Sequence, residues 1–359
     1  MSNPAEKLQQ VITGGDTAKA ALVHFPNSRR YFTHFPSSDG VLFVTAGAVY
    51  LLVDFRYGEA AQKKAKNCEV ICFNLLNDSL KELVQKHGVR QVYLEQEHLT
   101  VSQAKRFEKV FAEVSVETVL DETLDNAVRA LRMIKSDEEV AKLEASQAIT
   151  DAAFQHILPY IKEGVTERDI ALEIEFFMRK QGAEAVAFEL IVAAGQNGSM
   201  CHAVPSDYAV QKGDFITMDT GALLDGYHSD MTRTVALGSV SDEQRRVYEK
   251  VLEAQLAVID AVKPGLPCSG IDKVARDIIE KDYPGTFGHG LGHGVGFEIH
   301  EEPRFSKFDD TPCAAGMVVT DEPGIYLPGK FGVRIEDMLL ITETGCRSLT
   351  KSPKELIIL

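Results

Sequence analysis

Between Lys212 and Asp337, four carboxylates and one imidazole fall in segments that read as strands or glycine-rich turns. Isolated charge is costly there. The first two carboxylates can be placed relative to each other. Phe215-Ile-Thr-Met-Asp219-Thr-Gly and Gly226-Tyr-His-Ser-Asp230-Met-Thr-Arg-Thr are β-like runs, and Asp225-Gly226 between them is a strong two-residue hairpin signal. A turn there, or one residue earlier, sets Asp219 and Asp230 on one sheet face, directly opposite or diagonal. A similar layout follows downstream. Met317-Val-Val-Thr, a turn over Leu327-Pro-Gly-Lys-Phe-Gly332 and Val333-Arg-Ile-Glu336 predict a second hairpin that brings Glu322 toward Glu336.

Two carboxylates facing each other in a protein interior repel by about 4 kcal/mol at about 4 Å and an effective dielectric near 20. Either one takes a proton or a cation sits between them. Four such groups at one place exceed what protonation relieves, whereas two divalent cations balance them. Oxygen ligands with a single histidine favour manganese or a similar borderline metal over a thiolate-type zinc site.

The segment from Gly288 to His300 is crowded with glycine and histidine. It is no dinucleotide loop, because Val295 stands where the third glycine after Gly290 and Gly292 belongs. It is no zincin helix either, since His300-Glu301-Glu302-Pro303-Arg304 has no second histidine. What remains is a histidine ladder in which glycines let the backbone approach a crowded centre.

The order Asp219, Asp230, His293, Glu322, Glu336, with these local contexts, resembles the Xaa-Pro peptidase family, prolidase and aminopeptidase P. The resemblance is strong over about residues 137–348 and looser before them. It implies an α+β chain: a C-terminal pita-bread catalytic domain at 131–359, preceded by a smaller α/β domain of creatinase type at 1–130. It also implies two divalent ions, with Mn2+ favoured and Co2+ or Zn2+ as alternatives, activating a water that cuts the bond before proline. On this resemblance Asp230 and Glu336 bridge the ions, Asp219 chelates one, and His293 and Glu322 complete the other. Glu322 carries the proton from nucleophile to leaving amine, and His300 stabilises the oxyanion. His202 and His289 frame the proline. Arg334 suits a carboxylate-orienting fork or a structural pairing with nearby Glu336 or Asp337, and Tyr326 lies just behind the ligands.

The expected substrate is an Xaa-Pro peptide. The lean is toward dipeptides, from the short N-terminal domain and tail; an aminopeptidase acting on longer peptides is the alternative. A metal-free creatinase-type enzyme or a non-enzymatic binding protein on the same fold would lose carboxylate ligands, and all five ligands are present. His228 faces the same side as Asp230 but takes a role behind the ligands or a structural one, Arg233 neutralises local negative charge or, by preference, sits in a surface ion pair, and Asp321 adds negative charge behind the site, where the family usually has an apolar residue.

At 359 residues the chain exceeds the usual single core, so two domains are expected. A net charge of −15 argues against nucleic acid or an anionic membrane as partner. No apolar leader or membrane-length apolar run is visible. The six cysteines form no Cys-x-x-Cys pair and read as reduced thiols, pointing to the cytoplasm. Cys201 and His202 point to opposite faces of an extended segment, which argues against a Cys/His nucleophile.

In the N-terminal third, residues 41–53 read as two strands around Ala46-Gly47, with Asp54-Phe-Arg-Tyr57 closing the second and a helix through Glu59–Ala65. Strands at Val70–Phe73 and Gln91–Leu94 and helices at Asp78–His87 and Val101–Phe111 complete a mixed α/β pattern. Asn27, Tyr31, Thr33 and Phe35, with Ser37-Ser38-Asp39-Gly40, resemble the opening of the family's N-terminal domain, with His34 where a glycine is usual. That domain packs across a homodimer in the family, so Asp39, Arg56 and Tyr57 either edge a neighbour's pocket or simply cap a turn and a strand end. In the catalytic half, Ser136 with Glu139 and Thr166 with Asp169 mark capped helix starts; Phe188–Ala194 reads as a strand, and helices span 242–262 and Cys268–Asp282.

Overall fold

Val41-Leu-Phe-Val-Thr45 and Val49-Tyr-Leu-Leu-Val53 are apolar almost throughout, which a strand tolerates only where both faces are covered. In the computed structural model, which describes residues 3–359, every residue of both strands is buried. They belong to a six-stranded mixed sheet in the order Glu69–Cys72, Val49–Val53, Val41–Thr45, Lys19–Val23, Gln91–Leu94, Glu117–Val119. Helices Pro4–Thr13, Pro26–Thr33, Phe55–Lys64, Leu76–His87 and Val101–Ala112 alternate with these strands. The chain divides into two units, one ending at Arg132 and the other spanning Met133–Leu359.

Three features of the first unit differ from the sequence reading. Asp54 does not close a strand; its carboxylate accepts from Arg56 N and caps the helix Phe55–Lys64. The central strand, Lys19–Val23, went unread because Ala-Ala-Leu-Val is too short for its period to show. The first helix was also missed, although Asn3 and Glu6 form a capping box there. Arg56 pairs with Asp39 at 2.7 Å and also with Asp54, while Tyr57 Oη lies 2.8 Å from Ser38 Oγ.

In the second unit the expected caps form at Ser136–Glu139 and Thr166–Asp169, opening the helices Asp137–Ile157 and Glu167–Lys180. Helices Asp242–Ala261 and Cys268–Asp282 pack on one core with the strands around Val319, Ile325 and Leu339. The other pair packs on a core with Val192, Ile216 and Val235. One sheet orders Met231–Ala236, Phe215–Thr220 and Ile191–Ala194; a five-stranded sheet centres on Val318–Asp321.

Arg233 overturns its surface assignment. Its side chain is 1% exposed and bonds Asp337 Oδ1 at 2.8 Å. The remaining N–H groups donate to the carbonyls of Thr232, Glu336, Ser352 and Pro353 at 2.6–2.9 Å. All five guanidinium donors are thus used, tying the first hairpin to the second and to the C-terminal segment. A strand-like Met-Thr-Arg-Thr run cannot reveal this, because the partner lies about a hundred residues away. We expect Arg233→Met to cost about 3–5 kcal/mol, as for one partner of a buried pair, read as a fall in the thermal unfolding midpoint. Arg233→Lys keeps the charge but loses most of the carbonyl contacts and recovers only part of that fall.

Candidate metal centre

Asp225 and Gly226 both adopt left-handed φ, 50° and 83°, as a type I′ hairpin turn requires. Leu224 then pairs with Tyr227 and Asp219 with Thr232, so Asp230 lies diagonal to Asp219 on the same face. In the second hairpin Asp321 stands opposite Asp337 and Gly324 opposite Arg334. The two ladders share one register, which sets Glu322 across from Glu336 in the gap between them. Glu336 N donates to Thr232 O at 3.1 Å and joins the two hairpins.

His293 enters from the strand Gly292–Gly294. A Cβ on Gly292 would lie 2.0 Å from Thr320 O, and one on Gly294 2.4 Å from Glu302 O, so only glycine permits this approach. The imidazole Nδ1 lies 3.1 Å from Gly294 O and donates to it, leaving the Nε2 lone pair to face Asp230 Oδ2 and Glu322 Oε1, each at 3.5 Å. Burial, with His300 nearby, pushes the His293 pKa down to about 3, so the ring is neutral. Asp230, His293 and Glu336 each bring a ligand atom within 4.8 Å of the others.

The electrostatics state what is missing from this cluster. Burial raises the Asp230 carboxyl well above its usual range, and Glu336, Asp219 and Glu322 raise it further. Glu336 is raised for the same reason, burial first and then Glu322 and Asp219. Glu322 is pushed up to about 8, chiefly by burial. Asp219 Oδ1 is buried without a hydrogen-bond partner among the described residues. Three raised carboxyls, an orphaned carboxylate oxygen and a neutral imidazole aimed inward form a donor set short of positive charge, which fits divalent cations.

Neighbours orient these groups. Thr320 Oγ1 donates to Glu322 Oε1 at 3.2 Å and accepts from His293 N at 3.0 Å. Thr232 Oγ1 donates to Glu336 Oε2 at 2.7 Å. Arg334 donates from Nη2 to Asp219 Oδ2 (2.7 Å), from Nε to Thr232 Oγ1 (2.9 Å), and from Nη1 to Tyr326 Oη (2.8 Å) and Cys201 O (3.2 Å). Its fork therefore holds a ligand carboxylate, Asp219, and does not pair with Glu336 or Asp337.

All nine residues singled out from the sequence line one cavity of about 540 Å³: Asp219, Asp230, His293, Glu322 and Glu336 with His202, His289, His300 and Arg334. His289 differs from the expectation of a free substrate contact. Its Nδ1 lies 2.8 Å from Gly290 O and its Nε2 3.0 Å from Tyr326 Oη, so both ring nitrogens are engaged. Burial lowers its pKa to about 4. His300 sits at the exposed rim with its ring edge-on to His293 at 4.4 Å. His202 is exposed in the same wall, and His228 N donates to Gly296 O at 2.9 Å, away from the ligands.

Among the lining residues that the sequence reading missed is an arginine. Arg304 pairs in register with His293 across adjacent strands, and its guanidinium has no hydrogen bond or ion pair among the described residues. The signal was present in Glu302-Pro303-Arg304, but its meaning needs the strand pairing.

A neutral-imidazole, carboxylate-rich metal site beside a cavity is the arrangement of a metallopeptidase, and the chain belongs to metallopeptidase family M24, which it matches over residues 141–343. Residues 5–134 match the creatinase/prolidase N-terminal domain, so the α+β fold is the pita-bread architecture preceded by that domain. A Pyrococcus horikoshii protein described as an Xaa-Pro dipeptidase is 38% identical, with 99% of each chain covered. The structure of an Xaa-Pro dipeptidase from Bacillus anthracis superposes with a TM-score of 0.93 at 41% identity over 99% of both chains. An X-Pro aminopeptidase from Thermotoga maritima gives 0.90 at 35% identity, covering 98% of this chain and all of that one. The protein is thus an enzyme, a metallopeptidase, and its family implies divalent metal.

A carboxyl whose pKa is higher folded than unfolded favours folding while it stays protonated. That contribution is full below the unfolded value, near 4.5 for Glu322, and is lost as pH rises through about 8. The metal-free protein should therefore gain thermal stability as pH falls from 8 to 6, and Glu336→Gln should flatten that gain. Saturating divalent metal should reverse the trend, because protons then compete with the ion.

Proposed function

We propose that this protein hydrolyses the peptide bond preceding proline, using two divalent ions held by Asp219, Asp230, His293, Glu322 and Glu336, and that its preferred substrates are Xaa-Pro dipeptides. The observation that carries the reading is the meeting of these five side chains in one cavity, with an unengaged guanidinium, Arg304, in its wall. The described Xaa-Pro dipeptidase relatives support the substrate class. When bound, the ions, manganese by preference and cobalt or zinc as substitutes, polarise the scissile carbonyl and activate the attacking water.

The chain's own groups do the rest. Glu322, its carboxylate held by Thr320 Oγ1, accepts a proton from the attacking water and returns it to the leaving proline nitrogen. His300, at the rim beside His293, donates to the developing oxyanion. His202 lines the proline side. His289, with both nitrogens engaged, offers its ring as a fixed wall. Arg334 acts through Asp219, holding that carboxylate ready for metal.

A dipeptidase must hold the proline carboxylate, whereas an aminopeptidase must let the chain continue at that point. Arg304 is a cation without a partner on the same sheet face as His293, and a free carboxylate completes it. A homodimer and a cytoplasmic setting belong to the same reading; six free thiols suit a reducing compartment.

The test is purified enzyme loaded with Mn2+, Co2+ or Zn2+ and assayed on Met-Pro against Met-Pro-Gly. Dipeptide cleavage should dominate and vanish on exhaustive chelation. Arg304→Ala should raise KM for the dipeptide about 10- to 100-fold, as expected for loss of a charged hydrogen bond, and leave the tripeptide nearly unchanged. Equal turnover of both peptides by the wild type would favour the aminopeptidase alternative, for which the Thermotoga maritima neighbour speaks. Glu336→Ala should abolish turnover without unfolding the protein.

A further inference from the structure

A glutamate is almost never fully buried unless it is paired. Glu167, the first residue of the helix Glu167–Lys180, is 0% exposed. Four donors account for it. Oε1 accepts from Ala194 N at 2.7 Å and from Asn197 Nδ2 at 3.0 Å. Oε2 accepts from Ser206 N at 3.0 Å and from Ser206 Oγ at 2.6 Å.

These donors stand at the two ends of one loop. Ala194 ends the strand Ile191–Ala194, which pairs with the strand of Asp219. Ser206 closes the stretch after Cys201, His202, Ala203 and Val204, all of which line the cavity. One carboxylate therefore holds both feet of the loop that carries His202. Between the feet, Arg334 Nη1 donates to Cys201 O and Ala203 N donates to Met200 O, each at 3.2 Å. His202 is exposed, and its ring is placed by the short arm between Cys201 and Ser206.

The chemistry of the clamp matters as much as its place. A carboxylate accepts at both oxygens, whereas an amide accepts at one and donates at the other. Glu167→Gln would keep its oxygen on the side of Ala194, whose N–H is wholly buried, and set its NH2 against Ser206 N, donor against donor. Ser206 O still accepts from Arg168 N at 3.1 Å, so that foot stays on the helix but is re-aimed.

We propose that Glu167 is a positioning residue for His202, clamping both feet of the loop 195–205 so that the imidazole faces the proline side of the cavity. Glu167 does not line the cavity and acts only through Ala194, Asn197 and Ser206. The inference rests on the reading of His202 as a group that touches substrate, and the two are tested apart.

With metal-loaded enzyme and Met-Pro, Glu167→Gln should lower kcat/KM about 10- to 100-fold, the scale of a group displaced by about 1 Å. His202→Ala should cost a similar factor. Adding Glu167→Gln to it should cost less than about 2-fold more, because two changes that act through one group are not additive. Ser206→Ala, at a half-buried position, removes the hydroxyl from one foot and should lower kcat/KM about 2- to 10-fold; it carries the test if Glu167→Gln fails to fold. Imidazole resonances of the zinc-loaded protein read the position without turnover: either variant should shift His202 and leave His289 and His300 in place. An unmoved His202 resonance in a variant that only unfolds at lower temperature makes the clamp merely structural and overturns the proposal, as do multiplying effects of Glu167→Gln and His202→Ala. If His202→Ala alone keeps full kcat/KM, the reading of His202 fails, and the resonance decides: a shift keeps the positioning role, and an unmoved signal overturns it.

Discussion

The second unit is organised around a repulsion. Asp219, Asp230, Glu322 and Glu336 converge from two hairpins, and burial makes the ionised forms of the last three expensive. Arg334, the one guanidinium among the described residues that touches a ligand carboxylate, is committed to Asp219 and cannot neutralise four groups. A fold that gathers such a set tolerates it in one of two ways: by protonation, at the expense of function, or by cations. Metal binding and conformational stability are therefore coupled, since divalent ions held here would also relieve the main repulsion within the unit.

Holding the carboxylates together against that repulsion takes rigid backbone. Register does most of it: a type I′ turn fixes Asp230 diagonal to Asp219, and one continuous register across two ladders sets Glu322 opposite Glu336. Arg233 then welds the hairpins by bonding the Glu336 carbonyl and the Asp337 carboxylate at once. These constraints run through the main chain and one buried arginine side chain. The side chains, by contrast, are oriented by two threonines, Thr232 and Thr320, each touching one ligand carboxylate.

How much of this is legible in the chain follows from which interactions are local. Asp225-Gly226 states its own turn, and a two-residue turn dictates which side chains share a face, so the first carboxylate pair follows from sequence and pleat alone. Capping boxes at Ser136 and Thr166 are equally local and appear where expected. Two misses are local, the capping box at Asn3 and the Asp54 cap; the failures around the site are non-local. Arg233 looks like a surface charge because its partners lie about a hundred residues on; Arg304 looks like an ordinary strand arginine until the strand pairing sets it beside His293. Likewise, His289 looks available until Tyr326, folded back from the second hairpin, takes its Nε2. Lys19–Val23 is the converse case, a short apolar run that only its neighbours make a central strand.

The engaged and unengaged groups of the cavity wall divide its labour. Arg334, Tyr326 and His289 form a closed chain of hydrogen bonds that ends on a ligand carboxylate, so an incoming peptide would have to break internal bonds to use them. Among the described residues, the side chains of Arg304, His202 and His300 make no such hydrogen bonds and line the same cavity. Their placement is asymmetric: a permanent cation and two imidazoles surround an acidic floor. A small zwitterion matches that pattern, its carboxylate toward the guanidinium and its ammonium toward the carboxylate side. A longer peptide offers no charge at the arginine, which would then lie desolvated against a neutral amide. The arrangement of unmet charge, more than the volume of the cavity, is what supports the proposed preference for the shorter substrate.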